Sequence, residues 1–322
     1  MKKILILVMS CNDNFFLEQE KYIDDTWGKD IIEGKYPNIS LYKYRGSDKA
    51  NDISEDNIIN VYCEDDIQNT FKKTYLAFRL CEQNFDYDYI FRVNTSTYIN
   101  VPLLNAFVES LTDDTILWCS ELYSLSNMPV PYPLMLYGRG NGLLFSKQLI
   151  NIILHEGFPF LYLHECDDNI IGNILNSYWI KNKINYLDKI KSFRHGWFRC
   201  INTEVKNNHT ECAWCNKDCS FDFMKDFITI QIKRYWEREI ENNNYIDLYN
   251  DCFSKNEDNN ISEAVNKQYE YSKNPNIFIG SILGYVTLND WVKFDKTAFY
   301  KLQIANKSVD DPSRGKKDYL IL

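Results

Sequence analysis

Residues 86–100 read DYDYIFRVNTSTYIN. Residues 89–93 are rich in aromatic and β-branched side chains and predict a β-strand. The strand leads into three small polar residues, Asn94, Thr95 and Ser96. Carboxylates in that place would suit a divalent cation, which favours charged oxygens, whereas amide and hydroxyl groups are poor ligands on their own.

Strands and helices alternate around this segment. Residues 3–9, 39–44 and 58–63 predict strands, and the first is a continuous run typical of a strand covered on both faces. Between residues 66 and 84, Phe71, Tyr75 and Phe78 recur at helical spacing, with Asp65 or Asp66 placed to cap the helix. The alternation predicts an α/β sheet that is parallel at least in part. The first strand lacks a G-x-G-x-x-G turn, which argues against a dinucleotide cofactor.

Further along, a loop with prolines at 129, 131 and 133 leads to a glycine-rich turn at residues 137–142. Helices are expected from about residue 146 and over residues 167–180. The composition turns polar near residue 200, so we expect an α/β domain at 1–200. Residues 201–322 would form a smaller C-terminal extension, with a Cys-rich linker and then a mixed α/β region. Within it, residues 256–274 are expected to be exposed and 277–294 to form a β-turn-β element.

Composition narrows the classes of partner. The chain has 322 residues, 45% of them hydrophobic, and a formal net charge of −9, which argues against nucleic acid or an anionic membrane. No stretch approaches the roughly 20 apolar residues of a membrane span. The apolar run after Lys2-Lys3 fits a buried strand better than an export signal. Ten cysteines without a disulfide framework suit a reducing compartment, so we expect a cytoplasmic protein.

Five blocks occur in an order that resembles a known family. The chain resembles the β-1,3-galactosyltransferase and Fringe-like glycosyltransferases in residues 23–28, 65–81, 91–100, 132–146 and 167–172. Asp24 replaces that family's arginine in the first block, and Asn94-Thr95-Ser96 replaces its Asp-Asp-Asp segment in the third. The resemblance implies a GT-A fold, Rossmann-like, with a mixed and mostly parallel sheet flanked by helices.

The function that this resemblance implies is inverting sugar transfer. A hexose or N-acetylhexosamine would move from a UDP-sugar to a glycan or glycolipid acceptor, giving a β-linkage, expected to be β-1,3. Asp168, the second acid of its block, would be the general base that deprotonates the acceptor hydroxyl. Asp167 would support it or bind the acceptor. The alternative is that both are first-turn acids favourable to the helix dipole.

Because residues 94–96 are neutral, a diphosphate bound beside them would need positive charge from another part of the chain or from a metal ion. By resemblance, Asn94, Thr95 and Ser96 would form the floor of the donor site, where they can still hydrogen-bond a sugar or ribose. The departing diphosphate needs positive charge. Candidates are Arg92, Arg139, Arg194, His195 and Arg199, of which Arg194 and His195 follow the helix that carries Asp168. Mn²⁺ or Mg²⁺ stays open, and metal-independent transfer is the expectation.

Three residues are expected on the acceptor side. Gly140 and Gly142 would let the backbone approach a sugar closely, although a plain tight turn before a helix explains them equally well. Trp27 is a weaker candidate, since such a tryptophan is more often part of the core.

A compact set of metal-ligand types follows residue 200. His209, Cys212, Cys215 and Cys219 could hold a structural zinc ion, with Cys200 as a substitute for one of them. Free thiols or a disulfide are the alternative interpretation. Such a site would hold the linker to the C-terminal region and would have no catalytic role.

A second hypothesis concerns a protein without catalysis. Loss of the three acids and of the arginine at position 24 would also suit a silent relative that binds a glycan or nucleotide. Self-association is open in either case.

Overall fold

The computed structural model describes residues 1–124, 136–163, 165–198, 225–232, 246, 249–250, 260–278 and 285–293. The strands are β1 (Ile4–Met9), β2 (Ile39–Ser47), β3 (Asp52–Ile53), β4 (Ile58–Tyr62), β5 (Tyr89–Asn94), β6 (Thr97–Ile99), β7 (Leu117–Cys119), β8 (Leu122–Ser124), β9 (Leu136–Gly138), β10 (Leu143–Ser146), β11 (Ile190–Ser192), β12 (His195–Phe198), β13 (Thr229–Ile232), β14 (Asn276–Phe278) and β15 (Tyr285–Thr287). The helices are α1 (Asn14–Asp25), α2 (Lys29–Ile32), α3 (Thr70–Asn84), α4 (Val101–Ser110), α5 (Lys147–Glu156), α6 (Asp167–Lys181), α7 (Tyr186–Lys189), α8 (Ile261–Lys273) and α9 (Leu288–Lys293), with a 3₁₀ turn at Phe158–Phe160.

The main sheet has eight strands in the order β11-β7-β10-β5-β1-β2-β4-β3. Strands β1, β2, β4 and β5 are parallel to their neighbours in this set. β10 runs antiparallel between β5 and β7, and β3 runs antiparallel at the edge. The predicted α/β class, with a mixed and mostly parallel sheet flanked by helices, is therefore confirmed.

Helices cover both faces of this sheet, which is why the central strands read as nearly continuous apolar runs. In β1, Ile4, Ile6 and Val8 pack in one core cluster with side chains of α1, α2, α4 and α8. Leu5 and Leu7 point the other way, into a second cluster with α3, α5 and α6. β5 alternates in the same manner, so Arg92 falls on the face covered by α3, α5 and α6.

Helix α3 forms where helical spacing predicts it. Phe71, Tyr75 and Phe78 are all buried. Asp66 lies one turn ahead of the helix, where its carboxylate accepts hydrogen bonds from the backbone N–H groups of Gln68 and Asn69 at 2.9 and 2.8 Å. It thus forms a turn that leads into α3, which begins at Thr70.

The glycine-rich turn reaches the carboxyl edge of the sheet because β10 is antiparallel. Leu143, the first residue of β10, lies opposite Arg92, near the end of β5. The turn before it, residues 139–142, therefore lies beside the ends of β1 and β5. The first turn of α6 contacts the same edge through Asp167. Three segments far apart in sequence meet there.

The described strands beyond residue 200 pair with strands formed by earlier residues. β13 pairs with β6 and β12, and β14 pairs with β8. The expectation of an exposed segment at 256–274 is wrong for residues 261–273, which form α8. Its Ala264, Val265, Gln268 and Ser272 are buried. Of the β-turn-β element predicted at 277–294, the two strands are present as β14 and β15, which pair antiparallel. The prediction is wrong for residues 288–293, which form α9. The domain division at residue 200 stays a prediction.

Two further predictions concern the chain as a whole. Within the described ranges, no helix has the length and apolar character needed to cross a bilayer. The cysteines described there, Cys11, Cys63, Cys81, Cys119 and Cys166, are free thiols. The three loop prolines lie outside the described residues.

Gly172 determines how closely α6 approaches β9. A Cβ added at Gly172 would overlap the Cβ of Tyr137. Although alanine normally favours a helix over glycine, we expect Gly172→Ala to lower the free energy of unfolding by about 1–3 kcal/mol through overpacking. Urea denaturation measures it. Ser177→Ala, at an exposed position of the same helix, is the control and should be neutral or slightly stabilising. Equal stability of the two variants would contradict the close packing.

Candidate active site

Arg92 is the centre of a buried polar cluster at the carboxyl edge. Its side chain is 1% exposed and forms an ion pair with Asp167, with 2.8 Å between Nη2 and Oδ2. Nη1 donates to the side-chain oxygen of Asn94 at 2.8 Å and to the carbonyl of Gly140. Burial alone would lower the pKa of Arg92, but the Asp167 carboxylate raises it above its ordinary value. The guanidinium is therefore charged and surrounded by protein acceptors.

The hydroxyl groups of Tyr44 and Thr74 form a second connection between Arg92 and Asp167. Arg92 Nε donates to the Tyr44 hydroxyl at 3.2 Å. That hydroxyl lies 2.9 Å from Thr74 Oγ1, which donates to Asp167 at 2.9 Å. Since Thr74 uses its proton on the carboxylate, Tyr44 is the donor to Thr74. Strand β2, helix α3, strand β5 and helix α6 are thus joined around one ion pair.

Asp167 and Asp168 are sequence neighbours in different environments. Asp167 is buried and paired with Arg92. Asp168 is partly exposed and accepts hydrogen bonds from the backbone N–H of Gly140 at 3.2 Å and of Asn169 at 2.8 Å. Burial and the negative charge of Asp167 raise the pKa of Asp168 to about 6, against the opposing effect of Arg92. A partly exposed carboxylate with such a pKa suits a proton acceptor near neutral pH.

The side chains of Asn94, the last residue of β5, and of Thr95 and Ser96, which follow it, point in different directions. Asn94 is half-buried and contacts Arg92. Thr95 and Ser96 are buried, and their hydroxyls bond Gln19 at 2.6 Å and Gln231 at 2.6 Å. Asn94 and Gly140 accept from the same Nη1 of Arg92, and Gly140 in turn donates to Asp168. The side chains of Thr95 and Ser96 are instead engaged in the interior.

The other predicted donor-side cations are engaged with protein groups. Arg194 forms an ion pair with Asp226 at 3.1 Å, and its guanidinium lies 5.0 Å from the ring centre of Phe227. His195 Nδ1 lies 2.9 Å from Thr229 Oγ1. Burial and the positive charge of Arg139 lower the pKa of His195 to about 3, so its ring is neutral at physiological pH. Arg199 lies outside the described residues.

The predicted acceptor-side residues are also separated by the structure. Gly140 lies in the cluster, where a Cβ would overlap Nη1 of Arg92. Gly142 packs close to Phe193 and Thr229. Trp27 is 3% exposed and belongs to the core cluster of α1 and α2. A side chain at position 140 would therefore displace the Arg92 guanidinium from its present place.

A cavity of about 560 Å³ opens at the same edge, where β1, β2 and β4 end. Ligand pockets in α/β proteins are commonly of this size and lie at the carboxyl ends of strands. It was not predicted from the sequence, although the strand ends at residues 9, 47 and 62 indicate its place. Its lining residues are Asn12, Gly46, Ser47, Asp48, Tyr62, Cys63, Glu64, Asp65 and Lys72.

Adjacent residues of α3 link this cavity to the Arg92 cluster. Lys73 is buried and pairs with Asp65, and its Nζ also donates to the carbonyl of Ser10 at 3.1 Å. Asp65 further accepts from the backbone N–H groups of Asn12 and Gly46 at 2.7 and 2.9 Å. The next residue, Thr74, donates to Asp167. Thr74 lies in the apolar stripe between Phe71 and Phe78, which is the signal that could have identified it.

The neutral end of β5 does not suit a divalent cation. Two of its three side chains are buried and hydrogen-bonded to glutamines. Among the residues that the structure describes, no group of three or more His, Cys, Asp or Glu side chains could hold a metal ion. The predicted zinc ligands His209, Cys212, Cys215 and Cys219, with Cys200, lie outside that part of the chain.

Comparison with known proteins gives similarity in structure only. No protein-family model matches the chain, and no curated protein matches it. A glycosyltransferase involved in glycosylation of the major capsid of PBCV-1 is similar at a TM-score of 0.40 and 8% identity, over 76% of this chain and 98% of that one. The galactosyltransferase LgtC, in complex with donor and acceptor sugar analogs, gives 0.40 and 11%, over 79% and 98%. A structure of LgtC with a mutated active site gives 0.38 and 11%, over the same shares.

The Arg92–Asp167 pair is expected to dominate the stability of this edge. Arg92→Met should lower the free energy of unfolding by about 3–5 kcal/mol, because it leaves a buried carboxylate unpaired. Denaturant unfolding measures it. The double variant Arg92→Met, Asp167→Asn should recover part of that loss, since the unpaired charge is gone. If the double variant loses as much stability as Arg92→Met and Asp167→Asn lose together when measured singly, the two groups do not interact.

Proposed function

We propose that this protein is a GT-A glycosyltransferase that moves a hexose or N-acetylhexosamine from a nucleoside-diphosphate sugar to a glycan hydroxyl. The observation that carries this proposal is the position of Asp168. It is a partly exposed carboxylate with a raised pKa, beside the Gly140 turn and Asn94, on the edge that also holds the cavity. The UDP-sugar donor and β-1,3-linked product expected from the family resemblance are part of this proposal.

The cavity is the proposed place of the donor nucleoside. Tyr62 is 61% exposed at its wall and offers a ring on which a base can stack. Asp48 and Glu64 are exposed carboxylates suited to ribose hydroxyls, which donate hydrogen bonds. Asp65 is paired with Lys73, and the other two carboxylates of the lining, Asp48 and Glu64, outnumber its one lysine, which makes the cavity unfavourable for the diphosphate itself. The diphosphate would therefore lie toward β5 and Asp168.

The reaction would be a single displacement at the anomeric carbon. Asp168 takes the proton of the acceptor hydroxyl while the oxygen forms its bond to that carbon. The bond from the carbon to the diphosphate oxygen breaks, and the nucleoside diphosphate leaves with the electron pair. Attack on the face opposite the leaving group inverts the configuration. Arg92 and Asp167 do not enter this step; they hold Gly140 and Asp168 in place.

Asp168→Asn tests the base. It preserves size but removes the proton acceptor, and we expect kcat to fall by about 10²–10⁴-fold. Stability should not fall, because a carboxyl group whose folded pKa is raised is destabilising when ionised. Initial rates and urea denaturation measure the two effects. The control is Asp56→Asn, at an exposed position, which should keep parent activity. An active Asp168→Asn protein would exclude Asp168 as the base.

The pH dependence follows from the same group. Since the pKa of Asp168 is raised to about 6, its carboxylate form predominates above that pH and is protonated below it. We expect kcat/KM of the parent to rise with pH through about 6 and then level off. A profile that is flat from about pH 5 to about pH 8 would contradict this assignment.

Metal independence is a separate expectation. Because the end of β5 supplies no carboxylate, transfer should persist in EDTA and should not increase with added manganese. The measurement is the initial rate with a panel of nucleotide sugars, using metal-free buffers. Loss of activity in EDTA with recovery on adding Mn²⁺ would show that a bound metal ion neutralises the charge of the diphosphate.

A silent binding protein is the second candidate. The neutral, inward-facing Thr95 and Ser96 favour it, because they offer a donor no charged group. Such a protein would be stabilised by a nucleotide or glycan in thermal-shift experiments, yet would neither transfer nor hydrolyse any nucleotide sugar of the panel.

A further inference from the structure

A second arginine lies beside Asp168 and is placed differently from Arg92. Arg139 directly precedes Gly140, whose N–H group donates to Asp168. Its side chain is 36% exposed, against 1% for Arg92. The guanidinium of Arg139 is therefore open to solvent next to this turn, whereas that of Arg92 is covered by protein.

Arg139 is held in position by two neighbouring side chains. Its Nη1 donates to the Tyr123 hydroxyl at 2.6 Å and to Glu121 Oε2 at 3.3 Å. Its guanidinium carbon lies 5.2 Å from the ring centre of Tyr123. Glu121 is buried and also accepts from Asn141 at 2.8 Å. The arginine is thus fixed before a ligand arrives, which lowers the ordering cost of binding.

The other cations predicted for this role are less suited to it. Arg92 is 1% exposed, Arg194 is 18% exposed against 36% for Arg139, and the ring of His195 is neutral. Of the predicted cations that the structure describes, Arg139 alone combines substantial exposure with a place next to the Asp168 contact. A planar guanidinium matches the geometry of phosphate and carboxylate oxygens.

We infer that Arg139 binds an oxyanion of the substrate beside Asp168, either the diphosphate of the departing nucleotide or an acid group on the acceptor sugar. The inference rests on the proposed function, because it places a substrate at Asp168. In the first case Arg139 supplies countercharge that the end of β5 lacks. In the second it selects an acidic acceptor.

The test is titration calorimetry on the full chain with inorganic pyrophosphate and with glucuronate. The parent should bind at least one of these probes. Arg139→Met should bind it about tenfold to a hundredfold more weakly, the value of one hydrogen bond to a charged group. Arg139→Lys should fall between the two. An effect on pyrophosphate points to the donor, and an effect on glucuronate points to the acceptor.

The matched control is Arg79→Met, which removes the same charge from an exposed position of α3 and should bind as the parent does. If Arg139→Met does not fold, the double variant Glu121→Gln, Arg139→Met removes both charges and gives the same comparison. The inference is overturned if the parent binds neither probe, or if the Arg139 variants bind like Arg79→Met.

Failure of the proposed function gives a different result. Arg139-dependent binding of pyrophosphate or glucuronate without sugar transfer from any donor would refute the transferase and keep the oxyanion site. Transfer that is equally fast in the parent and in Arg139→Met, with unchanged binding of both probes, would keep the transferase and refute the role of Arg139.

Discussion

A buried guanidinium has to find acceptors, and this requirement organises the carboxyl edge of the sheet. Removing a cation from water costs several kcal/mol, which only close and well-directed partners offset. Arg92 obtains them from Asp167 of α6, Tyr44 of β2, Asn94 of β5 and the Gly140 carbonyl. Because these groups come from separate parts of the chain, the site forms only when the sheet, the turn and α6 are all in place.

The same pairing gives two adjacent carboxylates different properties. Asp167 neutralises Arg92 and is buried with it, while Asp168, one residue later, stays partly exposed. Burial and the charge of Asp167 raise the pKa of Asp168, and Arg92 limits that rise. A buried, ion-paired carboxylate and a partly exposed one therefore arise from consecutive residues. The first turn of a helix allows this, because successive side chains point about 100° apart.

The sequence predicts the periodic elements well and the partners of charged residues poorly. The strands β1 and β5 and the helices α3 and α6 follow from apolar spacing, which reports burial directly. The buried role of Arg92 does not, since a single sequence does not show which carboxylate lies opposite. Helix α8 was missed because its surroundings are rich in Asn and Lys, although Ala264, Val265 and Gln268 form a buried face. The cavity needs the tertiary arrangement of three strand ends.

At the neutral end of β5, the hydroxyl groups of Thr95 and Ser96 are both hydrogen-bonded to glutamine side chains. Thr95 donates to the side-chain oxygen of Gln19, and Ser96 accepts from the side-chain nitrogen of Gln231. Carboxylates at these two positions would be buried without a cation, at a cost that neither glutamine offsets. The neighbours of Thr95 and Ser96 are thus matched to neutral residues. Beside Asp168 the positive charge comes from two arginines: Arg92 is buried and paired with Asp167, whereas Arg139 is partly exposed.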